Sequence, residues 1–104
     1  SYMFHIAIEN QSRDYHFSEK LINPIMVGTV PIYYGMPSIE NYFDTRGMII
    51  FKEVDEVGHI LKSLNKDLYK SMLPYVKENF KLAQDYVLSE DWMYKNIFKK
   101  MLII

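Results

Sequence analysis

The chain has 104 residues, 49% hydrophobic and 24% charged, which suits one globular core and leaves no room for a second. Twelve basic and thirteen acidic side chains give a net charge of −1, which excludes a general electrostatic grip on nucleic acid. With no cysteine, disulfide frameworks, thiolate zinc sites and cysteine catalysis drop out, and a reducing, cytoplasmic setting is the expectation.

In chain order, Met3 to Ile8 is a short apolar run that predicts a buried strand, with His5 as a satisfied core histidine. No basic-then-apolar leader precedes it, so no signal peptide is expected and the chain reads as a piece of a longer one. Residues 9 to 16 form a polar loop. A helix follows from Phe17 or Ser18 towards Val27, with Leu21, Ile22, Ile25 and Met26 on its apolar face. Pro24 is expected to kink or restart that helix, and Gly28 to end it. Thr29 to Tyr34 predicts a second strand, with Pro31 at its start or on a free side. A turn over Gly35 to Ser38 leads to one helical turn at Ile39 to Phe43 and a third strand at Met48 to Phe51.

Val57, Ile60, Leu61 and Leu64 then repeat at helical spacing behind Asp55 and Glu56, which predicts a helix with an apolar stripe and an exposed His59. From Lys66 to 104 the pattern is a helical tail. Leu68, Met72, Val76, Phe80 and Ala83 share one stripe, Pro74 is expected to kink it, and Ser89 is placed to cap a last helix. Strands alternating with helices argue for an α/β domain of about three parallel strands with flanking helices.

The loop and first turn at 9 to 20 hold the chemistry. They follow a strand and open a helix, where ligands of open α/β sheets collect and where a helix N-terminus suits a phosphate. Lys20 would add a full positive charge, Glu19 would accept from sugar hydroxyls, and Asn10 would both donate and accept. A solvated loop would have the same composition.

The order of residues is more specific. Phe4-His5-Ile6-Ala7-Ile8-Glu9-Asn10, then Ser18-Glu19-Lys20-Leu21, then Gly28-Thr29-Val30-Pro31-Ile32-Tyr33-Tyr34-Gly35 resembles the donor-binding half of the alpha-1,3-fucosyltransferases (glycosyltransferase family 10). That family shows F-x-L-A-F-E-N-S, Y-[VI]-T-E-K-[LI] and G-T-V-P-[VI]-x-x-G in this order. The resemblance spans about residues 3 to 73. It implies a Rossmann-like domain, the C-terminal half of an inverting GT-B glycosyltransferase, so residues 1–104 would be one truncated nucleotide-sugar-binding domain. It implies GDP-fucose as donor, a glycan as acceptor, no metal and no further cofactor.

By the same resemblance, Lys20 matches the diphosphate-contacting lysine, Glu19 the glutamate that meets donor hydroxyls, and Asn10 the asparagine closing the first block. His16 stands where the family has tyrosine, with Tyr15 just before it; histidine also binds phosphate. Ser18 replaces threonine, Gln11 replaces serine, and Glu9 is read as structural. A phosphate-contacting arginine lies upstream in the family; Arg13 stands in the loop either as its substitute or as a solvated loop arginine. The catalytic base is a carboxylate of an N-terminal domain, so no catalytic residue is expected in this chain. Further strands also precede the first block in the family, one of them expected between the strands at 3 to 8 and 29 to 34. The missing N-terminal domain or a second copy would cover the open edge.

Three other readings stay beside this one. The chain could be a non-catalytic remnant or interaction module, or belong to a GT-B transferase that uses another nucleotide-sugar. The basic, apolar end at Asn96 to Ile104 could lie on a membrane surface. His5, His16 and His59 share no helical spacing, so no metal site is expected, and no Walker-type or Gly-x-Ser-x-Gly motif is present.

Overall fold

The computed structural model describes residues 3–9 and 17–88. Its elements run β1 (Phe4–Ile8), α1 (Glu19–Met26), β2 (Val30–Tyr34), β3 (Ile49–Ile50), α2 (Asp55–Ser63) and α3 (Lys66–Leu88), with 3-10 turns at Ile39–Asn41 and Thr45–Gly47. The strands form one parallel sheet in the order β1-β2-β3. The expected α/β arrangement is therefore present. The expected Ser89 cap lies outside the described residues.

Among the described residues no strand lies between the first two, where the resemblance puts one in the family. β1 pairs with β2 along its whole length, from Phe4 opposite Val30 to Ile8 opposite Tyr34. α1 carries the chain back to the adjacent position. The Val30 N–H then donates to the Met3 carbonyl at 2.8 Å, and the Glu9 N–H to the Tyr34 carbonyl at 2.9 Å. The even positions of β2 thus bond towards β1. The Phe51 N–H donates to the Tyr33 carbonyl at 3.0 Å, so odd positions bond towards β3. Pro31 is odd and precedes the paired stretch, which begins at Ile32 opposite Ile49. Its missing N–H costs no ladder bond, as the sequence predicts.

α1 begins at Ser18, whose Oγ accepts the Lys20 N–H at 3.2 Å. Leu21, Ile22 and Ile25 are buried. The helix continues through Pro24 as one element and ends two residues later. Its carbonyl accepts from both the N–H and the Oγ1 of Thr29, at 3.1 and 2.8 Å. Gly28 takes φ 79°, the left-handed geometry that glycine adopts without a Cβ penalty.

Two apolar clusters hold the molecule together. In one, Ala7 and Tyr33 of the sheet meet α1, Phe17, Phe43, Met48 and Ala83 of α3. In the other, Met72 and Val76 of α3 close on Val30, with Phe4 and Tyr69 beside them. α3 runs unbroken through Pro74. The Asn79 side chain, 1% exposed, accepts the Asp44 N–H at 2.8 Å and donates to the Asp44 carbonyl at 2.9 Å. This double bond pins the turn before β3 to α3. Gly47 has no room for a Cβ there, because Asn79 Nδ2 and the Tyr75 backbone occupy the space.

α2 forms where its periodicity predicts, but none of its residues is buried. Leu61 is exposed, and no described element packs closely on the helix. Periodicity reports that a helix has an apolar face; it does not supply the surface that covers it. His59 is exposed as expected. His5 is exposed too, against the core position predicted for it. It stands on an edge strand, on the side that opens into a groove beside α1.

Candidate functional site

The carboxylate of Glu9 is the centre of the site. Glu9 is 4% exposed and directly follows β1. Its Oε2 accepts the Ser18 N–H at 2.7 Å, and its Oε1 accepts the Ser18 hydroxyl in a short hydrogen bond. The Tyr33 hydroxyl donates to Oε2 at 3.3 Å and accepts the Met36 N–H at 3.0 Å. Buried carboxyl oxygens need such donors, since an unpaired one would cost several kcal/mol on the order given by transfer data. Burial pushes the Tyr33 phenol far above its ordinary pKa; the Met36 N–H pulls the other way, and the Glu9 charge adds to the rise.

Gly35 belongs to the same cluster. A Cβ on it would overlap Glu9 Cγ and the Tyr33 phenol. The glycine that closes the third sequence block is thus a requirement of close approach. Glu9 comes from the first block, Ser18 from the second, and Tyr33 and Gly35 from the third. The fold brings all three blocks to one point at the carboxyl ends of β1 and β2.

Beside this point, a groove of about 330 Å³ runs between β1 and α1. His5, Ile6, Ala7 and Ile8 line one side, and Glu19, Lys20, Asn23 and Pro24 the other. Glu19 and Lys20 therefore stand together, as the sequence predicts. The backbone of the α1 N-terminus is less open than a phosphate cradle. The Lys20 N–H is taken by Ser18 Oγ, and the Leu21 and Ile22 N–H groups by the Ser18 carbonyl at 3.0 and 3.2 Å. Charge for an anion at this end would come from the Lys20 side chain and the helix dipole more than from bare N–H groups.

Asn10, Arg13, Tyr15 and His16 lie outside the described residues. Among the described residues no group of three or more His, Asp or Glu stands close enough to hold a metal ion. A larger groove of about 500 Å³ lies along α3, lined by Gly28, Tyr69, Leu73, Val76 and Phe80 with Lys77 and Lys81 at its rim. It is almost wholly apolar and, apart from Gly28, shares no residue with the three blocks. Reading the sequence alone misses His5 and Asn23 as groove residues, and Tyr33 and Gly35 as partners of Glu9. For Gly35 the signal is its fixed place at the end of a block.

The family model for "Glycosyltransferase family 10 (fucosyltransferase) C-term" matches residues 1–100. The chain belongs to this family. Curated relatives include GDP-fucose protein O-fucosyltransferase 3 of Bos taurus, 36% identical over 70 residues, 64% of this chain and 15% of that protein. The protein of the same name from Danio rerio is 34% identical over 76 residues, 73% of this chain and 17% of that protein. Two solved structures, an alpha1,3-fucosyltransferase with GDP and one with GDP-fucose, superpose with TM-scores of 0.60 at 22% and 23% identity. Each match covers 85% of this chain and 32% of the solved one. That likeness fixes the Rossmann-like α/β fold of this family 10 domain. The chain spans about a sixth of the length of the curated relatives it matches.

Proposed function

We propose that this family 10 chain is the donor-binding part of a fucosyltransferase, and that its donor is GDP-fucose. The observation that carries the reading is the convergence of the three sequence blocks on Glu9, with Lys20 and Glu19 set side by side in the adjacent groove. Lys20 would lie against the diphosphate and offset the charge that grows as GDP leaves, where electrostatic stabilisation counts most. Glu19 would accept from donor hydroxyls, and Asn10 and His16 would complete the contacts, with Arg13, Tyr15 and Ser18 around them.

In the reaction proposed, an acceptor hydroxyl oxygen bonds to the anomeric carbon of fucose as the bond from that carbon to GDP breaks, with inversion. The hydroxyl proton passes to a carboxylate base outside this chain, in the N-terminal domain that the family's architecture calls for. The acceptor is a glycan. A protein hydroxyl is the second reading, supported by the names of the curated relatives. No metal ion or other cofactor takes part in this proposal.

Calorimetric titration of the chain with GDP, GDP-fucose, GDP-mannose and UDP-galactose tests the donor. Binding of GDP and GDP-fucose, weakened at least about tenfold by Lys20→Ala, is the expected result. Equal affinity for UDP-galactose would replace GDP-fucose as the donor. An unchanged affinity in Lys20→Ala would remove the role given to that lysine.

A further inference from the structure

Lys20 is on the exposed first turn of α1, and its place is set by its neighbours. Its N–H is held by Ser18 Oγ at 3.2 Å. That same hydroxyl donates its proton to Glu9 Oε1, and the Ser18 N–H donates to Oε2 at 2.7 Å. A two-oxygen grip of this kind fixes both the position and the direction of a residue, as a single bond would not. Glu9 is itself immobile: it is buried, its own N–H is tied to β2, and Tyr33 and Gly35 wall its side chain. The grip also joins the end of β1 to the start of α1 across the nine positions that separate Glu9 from Ser18.

We infer that Glu9 is a positioning residue for Lys20: through Ser18 it sets where the α1 N-terminus, and so the lysine, meets the anion in the groove. This rests on the donor-site reading above. Glu9 does not touch the donor. Its carboxylate is required because three donors converge on it, namely the Ser18 N–H, the Ser18 hydroxyl and the Tyr33 hydroxyl. A carboxylate accepts all three, whereas an amide accepts at one oxygen and turns a donor towards the rest.

The test is a double-mutant cycle on the full chain, with GDP as probe and calorimetry as readout. Glu9→Gln should lower GDP affinity about five- to tenfold in the wild-type background and less than twofold when Lys20→Ala is already present. A residue that merely stabilises the fold would cost the same factor in both backgrounds, and that result overturns the inference. Ser18→Ala, which leaves the buried carboxylate in place, should show the same dependence on Lys20; it decides the matter if Glu9→Gln does not fold. The Ser18 amide resonance gives a readout independent of GDP. It should move and exchange faster in Glu9→Gln, and an unmoved resonance overturns the grip itself. If the wild-type chain takes up no GDP, the donor reading falls, and with it the role of Glu9 towards the donor, while the Ser18 resonance still reports the grip.

Discussion

Tyr33 and Gly35 show how much of the site is decided by single side chains meeting in the interior. Gly35→Ala would force a methyl into Glu9 and Tyr33, and overpacking of a filled core costs about 1–3 kcal/mol. Thermal unfolding of that variant should begin several degrees earlier. Tyr33→Phe keeps the ring and removes the hydroxyl, which leaves the buried Met36 N–H without its acceptor, again about 1–3 kcal/mol. The two variants should differ at alkaline pH. Burial raises the Tyr33 pKa in the folded chain above the ordinary phenol value of about 10, so the unfolded state loses its proton first and stability falls as pH rises past that value. Denaturant unfolding between pH 9 and 11 should show this decline in the wild type and a shallower one in Tyr33→Phe. An identical slope would mean that the phenol is not shielded.

Among elements, α2 and α3 are opposites. Both are helices that local signals announce, but α3 contributes buried residues to both core clusters and α2 contributes none. Met72→Ala on α3 should cost about 2–5 kcal/mol, since it empties part of the cluster around Val30. Leu61→Lys on α2 should change stability by less than about 0.5 kcal/mol, because Leu61 is 48% exposed and belongs to neither core cluster. Chemical denaturation of the two variants gives both numbers. The start of α2 has a pH dependence of its own. Glu56 accepts the Lys52 and Glu53 N–H groups at 3.0 and 2.9 Å, and these hold its carboxyl below the ordinary range. Asp44 is held low in the same way, first by the Arg46 side chain. Both contributions are complete above the unfolded carboxylate range and disappear as pH falls through the depressed folded values. Glu56→Gln and Asp44→Asn should each flatten the acid side of the midpoint-against-pH curve.

At the scale of the whole molecule, β1 sets the character of the chain. It is an edge of the described sheet, and Ile6 and Ile8 on it are 44% and 50% exposed. Open apolar edges invite pairing. The same strand leads directly into Glu9 and walls the groove, so the edge and the site are one piece of structure. Asn79→Ala tests how far the rest of the molecule depends on contacts between distant elements. Loss of its two bonds to Asp44 leaves that backbone unpaired and should cost about 1–3 kcal/mol, although the two residues are 35 positions apart. A Tm within a degree of wild type would show that water replaces the side chain.

The parallel α/β order, the start of α1 at Ser18 and its end at Gly28 could all be read from the sequence, because caps, prolines and apolar spacing act over a few residues. The three blocks could be read as well, and with them the family and the place of Glu19 beside Lys20, which is a matter of neighbours in one turn. The direct pairing of β1 with β2, the exposure of His5 and the partial burial of the α2 stripe could not. Each depends on which distant surface arrives beside it, and periodicity says nothing of that. The same holds for Glu9. Its carboxylate is one acid after a strand until Ser18, Tyr33 and Gly35 close around it, and only the folded chain puts those three in reach.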